Sequence, residues 1–142
     1  HIGEASVQVV LSKTPEVSDV GHYGYLVQIG AAPKVYDTGD IMRGATRVPA
    51  LMEPLRRAAP AVALITTSPT EEEFPDFVEA AALARQIGLQ VAIPAHYDCF
   101  TRRTFDPAGF QAQFPEGAVP RAVVIPYCGL YQHPPPASTN DT

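Results

Sequence analysis

The chain has 142 residues, 15 of them acidic and 10 basic, for a formal charge of −5; 46% are apolar and 18% charged. That is one domain of ordinary size with material for a core, so a disordered polyelectrolyte is excluded. The acidic balance excludes a phosphate-backbone binder, because only Arg56-Arg57 and Arg102-Arg103 set basic residues side by side.

In chain order, Ser6 to Leu11 reads as a strand with Val7, Val9 and Leu11 on one face. Tyr23 to Ile29 is a second strand, and Gly30-Ala31-Ala32-Pro33 turns it into a short third, Lys34 to Tyr36. The polar cluster Asp37-Thr38-Gly39-Asp40 follows directly, a place where loops display working groups. Pro49 to Ala59 is helical in composition, with Pro54 expected to confine or bend it. Val62 to Ile65 reads as a buried strand. Pro75 to Ile87 is the best helix: Phe77, Ala80, Ala81, Ala84 and Ile87 share a face, acids crowd its start, and Gly88 stops it.

Val91 to Pro94 is another buried strand, and it opens onto Ala95-His96-Tyr97-Asp98, a second polar cluster at a strand end. Asp106-Pro107 caps a short helix to about Phe114, and Ala122 to Ile125 is the last strand. Fifteen prolines, about twice the usual share, mostly punctuate these elements. Residues 1–131 are thus expected to fold, and the Pro-rich polar tail 132–142 to remain disordered. The order implies an α/β fold, a mixed sheet with helices on one side. The apolar runs VALI, VAI and AVVI call for burial on both faces, so the chain is expected not to complete its own core. No stretch approaches the roughly 18 apolar residues of a membrane span, and nothing resembles a signal peptide. With only Cys99 and Cys128, a cytoplasmic chain with free thiols is expected.

Carboxylate and imidazole together suit a divalent ion with water in an open position, which makes Asp40 and His96 candidate ligands. The competing reading of His96 is a hydrogen-bonded structural histidine. His22 is either a third ligand or an imidazole at the start of a strand that adjusts surface charge. Asp37 reads as a turn acceptor, His1 and His133 as inert, Cys99 as a buried or half-buried apolar side chain. Arg102 and Arg103 read as a solvated pair or as forked donors to a substrate phosphate or carboxylate. Ser12 and Ser68 lack a base for nucleophilic activation, and no Gly-rich phosphate loop is present.

VYDTGDI resembles the strand and Gly-Asp turn of the metallo-β-lactamase superfamily. VAIPAHYDCF followed by FDP resembles the late metal-histidine segment of its ascorbate 6-phosphate lactonase-like branch. The resemblance runs from Ser6 to Pro107 and implies that Asp40 is the acidic ligand, able to bridge two metals, and His96 the last histidine ligand. It places Asp98 where that branch also has Asp, as a substrate or ligand-orienting group; a turn or cap role is the alternative. The implied protein is a metal-dependent hydrolase, with one or two zinc or manganese ions whose bound hydroxide attacks an ester-like carbonyl or phosphorus of a small lactone or phosphorylated substrate.

The HxHxDH-like segment that supplies most ligands in that superfamily is absent. The fold expected is therefore the second half of a four-layer αββα sandwich, completed by a missing N-terminal half. Three explanations stand: a fragment of a longer protein, a split domain completed by another chain, or a half-domain serving as a noncatalytic binding or assembly module. The piece alone is expected to be inactive and to self-associate through an exposed sheet face.

Overall fold

The computed structural model describes residues 3–99, 101 and 104–134. Six strands form one mixed sheet in the order of the chain: β1 (Ala5–Leu11), β2 (Tyr23–Ile29), β3 (Val35–Asp37), β4 (Val62–Thr66), β5 (Val91–Ala95) and β6 (Arg121–Ala122). β1, β2 and β3 pair antiparallel as a meander; β3 to β6 run parallel. The parallel strands are joined through α1 (Pro49–Ala58), α2 (Phe77–Ile87) and α3 (Ala108–Gln111). Right-handed crossovers running in one direction along a sheet put their helices on one face.

That face holds the main core. Its central row follows the register Leu26–Tyr36–Ala63–Ala92–Ala122, small where the helices press closest. Over it lie Leu51, Met52 and Leu55 of α1, Ala80, Leu83, Ala84 and Ile87 of α2, and Phe110 of α3. Asp76 caps α2 by accepting the Glu79 N–H at 2.9 Å, and Gly88 ends the helix in the left-handed conformation. The Gly88 stop is the one read from the sequence, whereas the helix begins at Phe77, two residues after the expected Pro75, behind its Asp76 cap.

Several expectations need correction. Pro54 lies inside α1 as its sixth residue, where it removes one intrahelical donor, and the helix nonetheless continues to Ala58. The last strand stops at Ala122; the Val123 N–H still donates to the Ala92 carbonyl at 2.9 Å, and Val123, Ile125 and Tyr131 pack against Val62, Val91 and Ile93 on the second face. The central strands are therefore covered on their second face by this chain itself, contrary to the expectation from VALI and VAI. The bare part of that face is the meander. Val7, Val9, Leu11, Tyr23, Tyr25 and Ile29 are 41–61% exposed, and the register sets Val9 beside Tyr25 and Leu11 beside Tyr23. Helix α3 is shorter than expected: the Asp106 carboxylate accepts the Ala108 N–H, and the helix ends at Gln111. Of the tail, 132–134 carry no helix or strand and 135–142 lie outside the described residues. No described helix is long and apolar enough to cross a membrane.

Candidate metal and substrate site

The antiparallel meander brings the end of β1 and the start of β2 to the same rim as the C-terminal ends of β3, β4 and β5. Carboxyl ends of parallel strands are where open α/β sheets place ligands. Here that rim gathers Lys13, His22, Asp40, Glu73, Phe74 and His96, six residues from five separate segments.

A buried network of hydroxyl groups fixes the loop that carries Asp40. Ser12 Oγ donates to the Thr38 carbonyl at 2.7 Å, and Thr38 Oγ1 accepts the Thr66 N–H at 2.9 Å. The Met42 N–H donates to the Ser12 carbonyl at 3.0 Å. Asp37 accepts the Gly39 N–H at 3.0 Å, the turn role read from the sequence. Gly39 itself is required: its φ is +53° and a Cβ there would lie 2.2 Å from the Tyr23 carbonyl oxygen.

On this loop the Asp40 carboxylate lies 3.8 Å from His22 Nδ1. Across the rim, His96 stands just past β5 with φ +67°, a left-handed conformation uncommon for a side chain larger than glycine. Its ring packs at 5.1 Å on the Phe74 ring. The Lys13 ammonium also lies over Phe74, 5.4 Å from the ring centroid. Lys13 is only 3% exposed and pairs with the Glu73 carboxylate, which is itself largely exposed. The hydrogen bond from Lys13 holds the Glu73 carboxyl below its usual range, against the opposing effect of desolvation; the charges of Lys13 and His22 act in the lowering direction. Arg43 ties down the backbone here: its N–H donates to the Glu73 carbonyl and its Nε to the Phe74 carbonyl, both at 2.9 Å.

Beyond His96 a cavity of about 530 Å³ opens between the loop after β5 and the strand-like segment after β6. Tyr97, Cys99, Val124, Ile125 and Pro126 give it an apolar lining, with Asp98 and Tyr127 as its polar edge. The Tyr127 hydroxyl donates to Asp98, which lowers the Asp98 pKa and raises that of Tyr127; Thr104 adds to the lowering.

The sequence candidates thus separate. His22 and Asp40 come together, and His96 joins their rim through Phe74 and Lys13. Asp98 turns to the cavity and to Tyr127. Cys99 is exposed rather than buried, because the chain has left the sheet at that point. His133 lies away from this rim, its ring within hydrogen-bond distance of Tyr131 and Gln90. Arg102 and Arg103 lie outside the described residues. Lys13, Glu73 and Phe74 are not among the residues the sequence singles out, and no local pattern marks them, since Glu73 lies 60 residues from Lys13 in the chain.

The donor chemistry suits a divalent ion, but the number does not. A typical zinc site takes at least three protein ligands, and among the described residues no group of three His, Cys, Asp or Glu side chains is placed to hold one.

No protein-family model matches the sequence, and no curated protein does. Solved structures do share the fold. Igni18, a metallo hydrolase from Ignicoccus hospitalis, superposes with a TM-score of 0.67 at 18% identity, covering 87% of this chain and 51% of its own. The isothiocyanate hydrolase from Delia radicum gut bacteria gives 0.66 at 10% identity, covering 89% and 53%. The metallo-β-lactamase fold protein YhfI from Bacillus subtilis gives 0.61 at 11%, covering 87% and 48%. The chain has the mixed sheet and helices of these metallo-β-lactamase-fold proteins and spans about half of their length.

Proposed function

We propose that this chain is the C-terminal half of a metal-dependent hydrolase of the metallo-β-lactamase fold, in the lactonase-like branch. It contributes His22, Asp40 and His96 to a site whose other donors lie outside the described residues. The observation that carries the reading is the meeting of His22 with Asp40 at 3.8 Å on the rim that also bears His96, on a fold that metallo hydrolases share. A divalent ion there, zinc or manganese, supplies an acidified water and an electrophile near neutral pH.

The residues of this chain then divide the work. Thr38 and Gly39 hold the loop so that Asp40 faces His22, and Phe74 holds the His96 ring. The cavity beyond His96 receives the body of a small ester, lactone or phosphoester, with Asp98 held as an ionised acceptor at its edge by Tyr127 and Thr104. The bare meander face is covered by the rest of the domain, as its apolar residues require.

The incomplete donor set favours a second reading, a noncatalytic binding module that keeps the scaffold. Metal analysis of the complete protein separates the two. Asp40→Ala and His96→Ala are each expected to lower metal content and hydrolysis by orders of magnitude. Unchanged metal stoichiometry in both variants would sink the hydrolase reading.

A further inference from the structure

We propose that Lys13 is an oxyanion-binding residue of this rim, and that the Glu73 carboxylate is the internal stand-in which a carboxylate or phosphate group of a small ligand displaces. The inference deepens the hydrolase reading by giving its substrate an anionic group, and it shares that reading's rim, but it does not depend on a bound metal.

An ammonium taken out of water needs a compensating partner. Lys13 is 3% exposed, with the Phe74 ring on one side and the Glu73 carboxylate on the other. A carboxylate therefore already fits against this buried cation, and its owner is a side chain of this chain. That occupant is held unevenly. Arg43 anchors the Glu73 and Phe74 backbone, whereas the Glu73 side chain is 59% exposed and can turn outward into water with no change to the loop. When it turns, the ammonium remains fixed on Phe74, with its charge available to the next oxyanion.

The chain carries a net charge of −5, so it offers no general field that draws anions in. Binding of an anion at this rim must come from a specific contact, and Lys13 is the buried cation among the described residues. A charge-assisted hydrogen bond from a pre-positioned ammonium is the stronger kind.

The test is calorimetric titration of the complete protein with inorganic phosphate, near neutral pH and with a chelator present. Wild type binds weakly, because Glu73 competes. Glu73→Gln is expected to bind about tenfold more tightly, the order of effect when a charge-assisted pair no longer competes. Lys13→Met loses the binding and Lys13→Arg keeps it. Should Lys13→Met fail to fold, Glu73→Gln still decides. Affinity in Glu73→Gln no higher than in wild type, or equal binding by the Met and Arg variants, overturns the proposal. Hydrolysis is assayed separately on the metal-loaded protein without chelator: phosphate binding with no metal-dependent hydrolysis would refute the hydrolase reading alone, and hydrolysis without this binding would refute the Lys13 assignment alone.

Discussion

Gly39→Ala tests how the rim is built. Two costs arise. The first is conformational: at φ +53° an alanine pays roughly 1–2 kcal/mol for the left-handed region. The second is steric, since the new Cβ would lie 2.2 Å from the Tyr23 carbonyl oxygen, well inside the 3.0 Å that real Cβ atoms essentially never cross. Neither atom can yield alone. Tyr23 is paired with Leu11, and next to it the Ser12 N–H donates to the His22 carbonyl at 2.9 Å. Parting the two backbones sacrifices about one hydrogen bond in a buried setting, roughly 1–3 kcal/mol. The total expected is about 2–5 kcal/mol. Gly88→Ala is the control, because its φ is +84° and nothing lies within 4 Å of the added Cβ; it carries the conformational cost only. Urea denaturation of both variants in the complete protein gives the difference directly. Equal losses at the two glycines would refute the argument that close approach to Tyr23 fixes the Asp40 loop.

Phe110 is fully buried between Phe77 and Phe114, so Phe110→Ala should cost about 3–5 kcal/mol in thermal or urea unfolding; a loss below about 1 kcal/mol would mean that α3 is not part of the core. The Glu73 pKa is lowered in the folded state, so its contribution is present above the unfolded carboxylate value and disappears as pH falls through the folded one. Stability should therefore decline below pH 4.5 with a component that Glu73→Gln removes, and an unchanged profile in that variant would contradict the Lys13 pairing. Val9 is 55% exposed, so on a bare sheet face Val9→Lys would change stability by about 0.5 kcal/mol or less. In the complete protein the proposed covering layer raises the loss above about 2 kcal/mol by burying an unpaired charge, and a neutral outcome there would leave the face uncovered.

Much of the fold was legible because each element had a local cause. β2 has the limits read from its sequence, ending at the Gly30–Pro33 turn, and α2 ends at the glycine expected to stop it. The AVVI run misled for a physical reason. Apolar residues in sequence report burial, not hydrogen bonding: Val123 keeps one bond to β5, and Ile125 is packed against the second face without belonging to the strand. Asp40, His22 and His96 could be selected by chemistry and by strand ends. Lys13 could not, since its role comes from Phe74 and Glu73, sixty residues further along, and nothing near it in the chain announces them. Cys99 was misread because composition alone does not show where a loop turns outward.

Each strand of the sheet lies beside its immediate predecessor in the chain, so no later strand has to insert between two earlier ones. Closing such neighbours costs little loop entropy, and the sheet can grow in the direction of synthesis. The rim is then gathered in stages: Lys13 and His22 with the first hairpin, Asp40 with the third strand, Glu73 and His96 only as the fourth and fifth are laid down. Val123, Ile125 and Tyr131 come after the strands that they pack against at Val62, Val91 and Ile93, so the residues that cover this part of the sheet need no earlier strand to wait for them.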